Sequence, residues 1–175
     1  MKPTDIAYAA GIIDADGSIS IRGRTERHTY AGVIVVAMCD PHPVVFLHQL
    51  FGGSLRKIKY RPPNRHQVRW GVAAKQARAC AEVLLPFLWV KQQQALNLVE
   101  LQRLNEQIRS YTTAQRGLRS GSSRWWGQYE IDPDMLLRTQ QLYEQTKLLN
   151  LRGRARLIVL DPPGLKVVAA AGGGK

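Results

Sequence analysis

The sequence predicts an α+β domain in which helices and strand pairs follow one another in the order αββαββα, with further helices behind them. Three observations carry this expectation. Apolar runs with helix start and stop signals alternate with pairs of short runs in which hydrophobic and polar residues alternate. Each pair is broken by a polar or proline-rich turn. A chain of 175 residues with 45% hydrophobic content is one ordinary domain, long enough to bury a real core.

The first helix starts at Pro3 and Thr4, runs through Ile6 to Ile13 with only Gly11 as a breaker, and is expected to stop at Gly17, a residue suited to the left-handed conformation of a helix end. Asp14 and Asp16 then lie in its last turn. In the next strand, Ser18 to Arg24, Ile19 and Ile21 share one face while Ser18, Ser20, Arg22 and Arg24 share the other. Tyr30 to Met38 is apolar throughout, so its period does not say which face is buried. Asp40-Pro41 is read as the cap of a helix that ends at Phe51, before Gly52-Gly53. Ser54 to Tyr60 and His66 to Ala73 form the second strand pair around Arg61-Pro62-Pro63-Asn64. In the latter strand Val68, Trp70 and Val72 face one way, and Gln67 and Arg69 the other. Lys75 to Leu85 is a helix ended by Pro86, Val90 to about Ile108 a longer one, and Asp132-Pro133 opens a helix that reaches about Asn150.

The expected organisation is a core at 1–109, a basic and aromatic loop at 110–131, a helical extension at 132–168 and a flexible tail at 169–175. Trp125-Trp126 in the loop either anchors it in a core groove, the commoner use of tryptophan, or stacks on bases. Arg152-Gly153-Arg154-Ala155-Arg156 is read as solvated charge near a helix end.

Charge narrows the choice of partner. The 25 Lys and Arg against 13 Asp and Glu leave +12, and between Gly17 and Ala81 the acids are only Glu26 and Asp40. A polyanion is the natural partner. A membrane surface suits the pattern less, because these charges fall in strand-like sequence rather than on an amphipathic helix. No apolar run approaches the ~20 residues of a membrane span and the N-terminus has no signal-peptide pattern, so a soluble, intracellular protein is expected. Cys39 and Cys80 match neither a zinc pattern nor a disulfide framework.

The tip of the first helix is where chemistry concentrates. Ala7, Gly11 and Ala15 recur every four residues, so one face carries nothing larger than a methyl and admits another backbone closely. Asp14 and Asp16 meet the negative end of the helix macrodipole, at a typical cost of a few tenths to about 1 kcal/mol each, so a cation is expected nearby to offset it.

The stretch Ala9-Ala10-Gly11-Ile12-Ile13-Asp14-Ala15-Asp16-Gly17 resembles the motif of the LAGLIDADG homing endonucleases, departing from it only in Ala9 and Ile12 for leucines. The resemblance covers roughly Thr4 to Ile108. It implies a saddle of antiparallel strands lying on double-stranded DNA with helices on its back, and hydrolysis of phosphodiester bonds with a divalent metal. By the match, Asp16 is the metal-binding catalytic carboxylate. Mg²⁺ is the expected cofactor, with Mn²⁺ substituting and Ca²⁺ binding without supporting cleavage. Leu85-Pro86-Phe87-Leu88-Trp89-Val90-Lys91-Gln92 is similar to a second family element, by which Lys91 would stabilise charge at the scissile phosphate. A single motif implies a homodimer packed through Ala7, Gly11 and Ala15 on a long pseudo-palindromic site, with no membrane or small-molecule substrate. The host would be an intron or intein, a mobile genetic element, in the cytoplasm or an organelle. Recognition would fall to Ser20, Arg22 and Arg24, to Arg56 with Lys57 or Lys59, whose parity the sequence leaves open, and to Gln67 and Arg69. One departure is Met38-Cys39, where the family often carries Gln or Asn. It favours the alternative of a non-cleaving DNA- or RNA-binding protein on the same fold, a transcription regulator or an intron maturase.

Overall fold

A computed structural model describes residues 1–24, 29–61, 63, 65–118 and 131–151. Its elements are α1 (Pro3–Asp16), β1 (Gly17–Arg24), β2 (Thr29–Met38), α2 (His42–Phe51), β3 (Ser54–Ile58), β4 (Gln67–Ala73), α3 (Ala74–Leu84), α4 (Gln92–Leu118) and α5 (Pro133–Leu149). The four strands form one antiparallel sheet in the order β1-β2-β4-β3. The αββαββα order, followed by two further helices, α4 and α5, is therefore as the sequence predicts.

The helices gather on one face of the sheet. Ile19, Ile34, Val36, Trp70 and Val72 point into a core shared with Ala9, Ala10 and Ile13 of α1, Leu47 of α2, Leu84 of α3 and Leu98 of α4. Register settles what periodicity could not: in β2 the buried residues are Tyr30, Gly32, Ile34 and Val36, which turns Ala31, Val33, Val35 and Ala37 to the other face. Among the described residues Trp70 is the largest fully buried side chain, and its indole N–H donates to Gly52 O at 2.7 Å, so the core gains its bulk without an orphaned donor there. α5 adds a second cluster, Leu142 with Ile21, Tyr30 and Leu101, and Asn150 at its end donates to Ile19 O at 2.9 Å on the edge strand β1. Among the described residues no helix is long and apolar enough to cross a membrane.

Several element ends differ from expectation. α4 passes Ile108 and continues to Leu118, and within it Ser110 and Thr112 turn their hydroxyls back on Gln107 O and Arg109 O at 2.8 and 3.0 Å. Asp40 is not the residue at the cap of α2; Pro41 is, and Asp40 accepts the His42 N–H at 3.0 Å from one position earlier. Gly17 is not left-handed: its φ is −80° and ψ 168°. A glycine is required there by proximity, since a Cβ would stand 2.7 Å from Ile13 O and 2.8 Å from Ile13 Cα. The left-handed glycines are Gly52 and Gly53, with φ of 68° and 90°, where α2 turns into β3. Trp125, Trp126, the Arg152–Arg156 run and the 169–175 tail lie outside the described residues.

Candidate nucleic-acid interface and helix-tip site

α1 delivers its acidic end straight into β1, with no loop between Asp16 and Gly17. The two carboxylates have different fates. Asp14 is half-buried and accepts three backbone amides from the turn before α4: Trp89 N–H at 2.7 Å and Val90 N–H at 3.1 Å on Oδ2, and Lys91 N–H at 2.9 Å on Oδ1. These are the amides of the turn that leads directly into α4, and a carboxylate at that end also complements the macrodipole of α4. Asp16, two residues on, is exposed.

Lys91 returns the contact. Its ammonium donates to Ile13 O at 2.9 Å and to Asp14 O, the last carbonyls of α1. The cation expected to offset the negative helix end is thus Lys91, and each helix terminus is closed by a side chain or backbone of the other. The sequence placed Lys91 at the scissile phosphate through its resemblance; in this structure its charge sits on α1 carbonyls. Trp89 beside it is 88% exposed. Ala7, Gly11 and Ala15 are also exposed, and a Cβ on Gly11 would meet nothing within 4 Å, so the small-residue face of α1 is uncovered in the single chain.

The sheet face turned away from the helices carries the basic residues in ordered rows. Arg56 pairs directly with Arg69, which pairs with Ala37; Ser54 pairs with Gly71, Gly71 with Val35, and Val35 with Ser18; Ser20 pairs with Val33; Arg22 pairs with Ala31. Gly17 pairs with Val36, so Asp16 lies at the end of the sheet that carries the Arg56–Arg69 row. A groove runs over this face, lined by Arg22, Arg56 and Arg69 around a floor that includes Val33, Val35 and Gly71, with no carboxylate in its lining. Gln67 shares the face through its pairing with Ile58. The parity of β3 is now decided. Arg56 faces the groove, whereas Lys57 pairs with Val68 on the helix-covered face at the sheet edge, and Lys59 lies beyond the end of the strand. Arg24 pairs with Thr29 at the far end, and its side chain is outside the described residues.

Sequence reasoning missed Ser54 and the apolar floor. The signal for Ser54 was a strand beginning directly after Gly53, but its parity needed the partner strand. At the end of β2, Met38 is half-buried and Cys39 exposed, and the next polar groups are Asp40 and His42, whose ring Nδ1 lies 2.7 Å from Asp40 Oδ1. The His42 backbone N–H, and then its ring, hold the Asp40 carboxyl below the usual carboxylate range. Among the described residues no three His, Cys, Asp or Glu side chains cluster as a metal site. At the tip of α1 the one exposed carboxylate of the motif is that of Asp16.

No protein-family model and no curated protein matches the chain. Among solved structures it is similar to the homing endonuclease I-CvuI in complex with the I-CreI target, with 18% identity over 82% of this chain and 95% of that one and a TM-score of 0.46. It is also similar to the archaeal intron-encoded homing endonuclease I-Vdi141I complexed with DNA, with 16% identity, coverage of 83% and 98%, and a TM-score of 0.47. The LAGLIDADG homing endonuclease I-SmaMI bound to cleaved DNA follows at 20% identity, 78% of this chain, 48% of that one and a TM-score of 0.47. All three neighbours are homing endonucleases at low sequence identity, and I-SmaMI is one of the LAGLIDADG family that the Ala9–Gly17 stretch resembles.

Proposed function

We propose that this protein is a site-specific, metal-dependent endonuclease of double-stranded DNA that acts as a homodimer on a long pseudo-palindromic site. The observation that carries the reading is the division of labour at the end of α1: Asp14 is saturated by three backbone amides, while Asp16 is left exposed at the end of an arginine-lined groove that contains no acid. An exposed carboxylate at the negative end of a helix opposes folding unless a cation uses it.

On this reading the groove takes the DNA, with Ser20, Arg22, Arg56, Gln67 and Arg69 facing it and Arg24 continuing the β1 row. Asp16 is the metal ligand and catalytic residue. A divalent ion held there would supply an activated water and neutralise charge on the phosphate and the leaving oxygen. Two copies packed through the exposed Ala7, Gly11 and Ala15 face would bring both Asp16 carboxylates together about a two-fold axis, which also makes the DNA site palindromic. Lys91 closes the α1 terminus that carries Asp16 by donating to Ile13 O and Asp14 O, and acts as a positioning residue for that carboxylate. Residues 1–109 constitute the catalytic core and 132–168 an extension, of which α5 braces α4 and β1. An origin in an intron or intein follows from the endonuclease reading.

A second reading, a DNA- or RNA-binding protein without cleavage, is favoured by one observation: β2 itself ends in Met38, followed by Cys39, neither of which carries a side-chain amide, before the Asp40–His42 pair. Asp16→Asn separates the two. It keeps shape and removes charge, so it should fold with unchanged or slightly raised stability, bind its site in Ca²⁺ with near-normal affinity, and fail to cut in Mg²⁺. A wild type that binds its site tightly and never cuts it in Mg²⁺ or Mn²⁺ supports the second reading; an Asp16→Asn variant that cuts normally removes Asp16 from the site.

A further inference from the structure

The groove is not uniformly basic. Arg56 and Arg69 are directly opposite each other across β3 and β4, and neither guanidinium has a carboxylate partner among the described residues. Like charges at directly opposed positions of a sheet destabilise it, so this pair is unfavourable in the free protein and calls for an electron-rich ligand. Towards the other end the groove floor is Val35 and Val33, with Ser18 and Ser20 beside them, until Arg22 appears opposite Ala31. Arg22, too, has no carboxylate partner among the described residues.

We propose that this arrangement sets the sequence preference of the groove: guanines under the paired Arg56 and Arg69 at the Asp16 end of each half-site, thymines over the Val33 and Val35 floor, and a further guanine under Arg22. The proposal rests on the DNA-binding part of the function above. Its chemistry is that a guanidinium fork matches the O6 and N7 acceptors of guanine in the major groove, whereas an apolar floor favours the C5 methyl of thymine. From the Ala37 row to the Ala31 row is six steps along β2, roughly 20 Å at the rise of a strand. With β2 lying along the groove, that length corresponds to about six base pairs at 3.4 Å each. The Arg22 guanine should therefore lie that far outward from the Arg56–Arg69 guanines, which are nearer the point of cleavage.

The test uses the full-length chain in Ca²⁺ to select duplexes from a random library, followed by chemical substitution in the selected site. Replacing the inner guanines by 7-deazaguanine should weaken binding about tenfold for the wild type, less for Arg56→Ala or Arg69→Ala alone, and not at all for the double variant, in which the lost N7 has no remaining reader. Deoxyuridine in place of the central thymines should cost a few-fold. Arg56→Gln and Arg69→Gln remove the guanidinium and present an amide that matches N6 and N7 of adenine, so they should shift the preference at the inner positions from guanine towards adenine; they also serve if an alanine variant fails to fold. The proposal is overturned if the arginine variants weaken all duplexes equally while lowering the salt slope by about one unit, which is the signature of phosphate contact. It is overturned as well if the Arg22-dependent base lies inside the Arg56–Arg69 bases. Selection of a site without this guanine and thymine pattern refutes the proposal alone; failure to select any site from DNA refutes the DNA-binding reading with it.

Discussion

Replacing Asp14 by Ala removes one carboxylate and releases three amides, Trp89, Val90 and Lys91, now held at 2.7, 3.1 and 2.9 Å. A hydrogen bond to a charged group contributes about 1.5–3 kcal/mol where water is excluded. Trp89 and Val90 are exposed and Asp14 only half-buried, so water recovers much of that loss. The dipole contributions cancel to first order, since Asp14 stands unfavourably at the end of α1 and favourably at the start of α4, each by up to about 1 kcal/mol. The net loss is then about 3 kcal/mol. For a chain of 175 residues this lowers Tm by about 6–12 °C. Asp14→Asn keeps one acceptor oxygen and should recover about half. Circular dichroism melts read the shift, and amide exchange at residues 89–91 reports whether those hydrogens in particular lose protection. An Asp14→Ala variant that melts within about 2 °C of wild type, or unchanged exchange at 89–91, would refute the assignment of Asp14 as the joint between α1 and α4. The Asp16→Asn variant is the internal control, because the same charge removed two residues away should not lower Tm.

Three other outcomes are expected. Gly11→Leu fills space that is open in the single chain and is proposed to be occupied by a second copy; sedimentation should show monomers that melt normally and do not cleave, and an unchanged dimer would exclude this face as the interface. Gly17→Ala drives a methyl against backbone at 2.7–2.8 Å, so chemical denaturation should show a loss of about 1–3 kcal/mol, whereas a loss below about 0.5 kcal/mol would show that α1 ends less tightly on β1. Burial pushes the Cys80 thiol up to about 12, so at pH 8 a thiol reagent should modify exposed Cys39 at once and Cys80 only on unfolding. Because the folded thiol stays neutral where the unfolded one ionises, Cys80 should also contribute a fall in stability as pH rises above about 9. Two equally fast thiols in the native protein would contradict the buried position.

Local signals in the chain determined the order of elements, the buried faces of β1 and β4, and the acidic tip of α1. Each depends on neighbours a few residues apart: Ile19 and Ile21 against Ser20 and Arg22, the Pro3 start, the Gly52-Gly53 stop. Tertiary structure alone decided the rest. The uniform apolarity of β2 hid which of its faces is buried, and the short β3 hid its parity, until pairing with β4 put Arg56 beside Arg69 and turned Lys57 away. The roles of Asp14 and Lys91 were divided in the same way. Seventy-seven positions separate them, and periodicity within one helix carries no information about which carboxylate will meet the start of another. The sequence showed that two acids crowd one helix end; packing α1 against the turn before α4 determined which became a structural acceptor and which was left exposed.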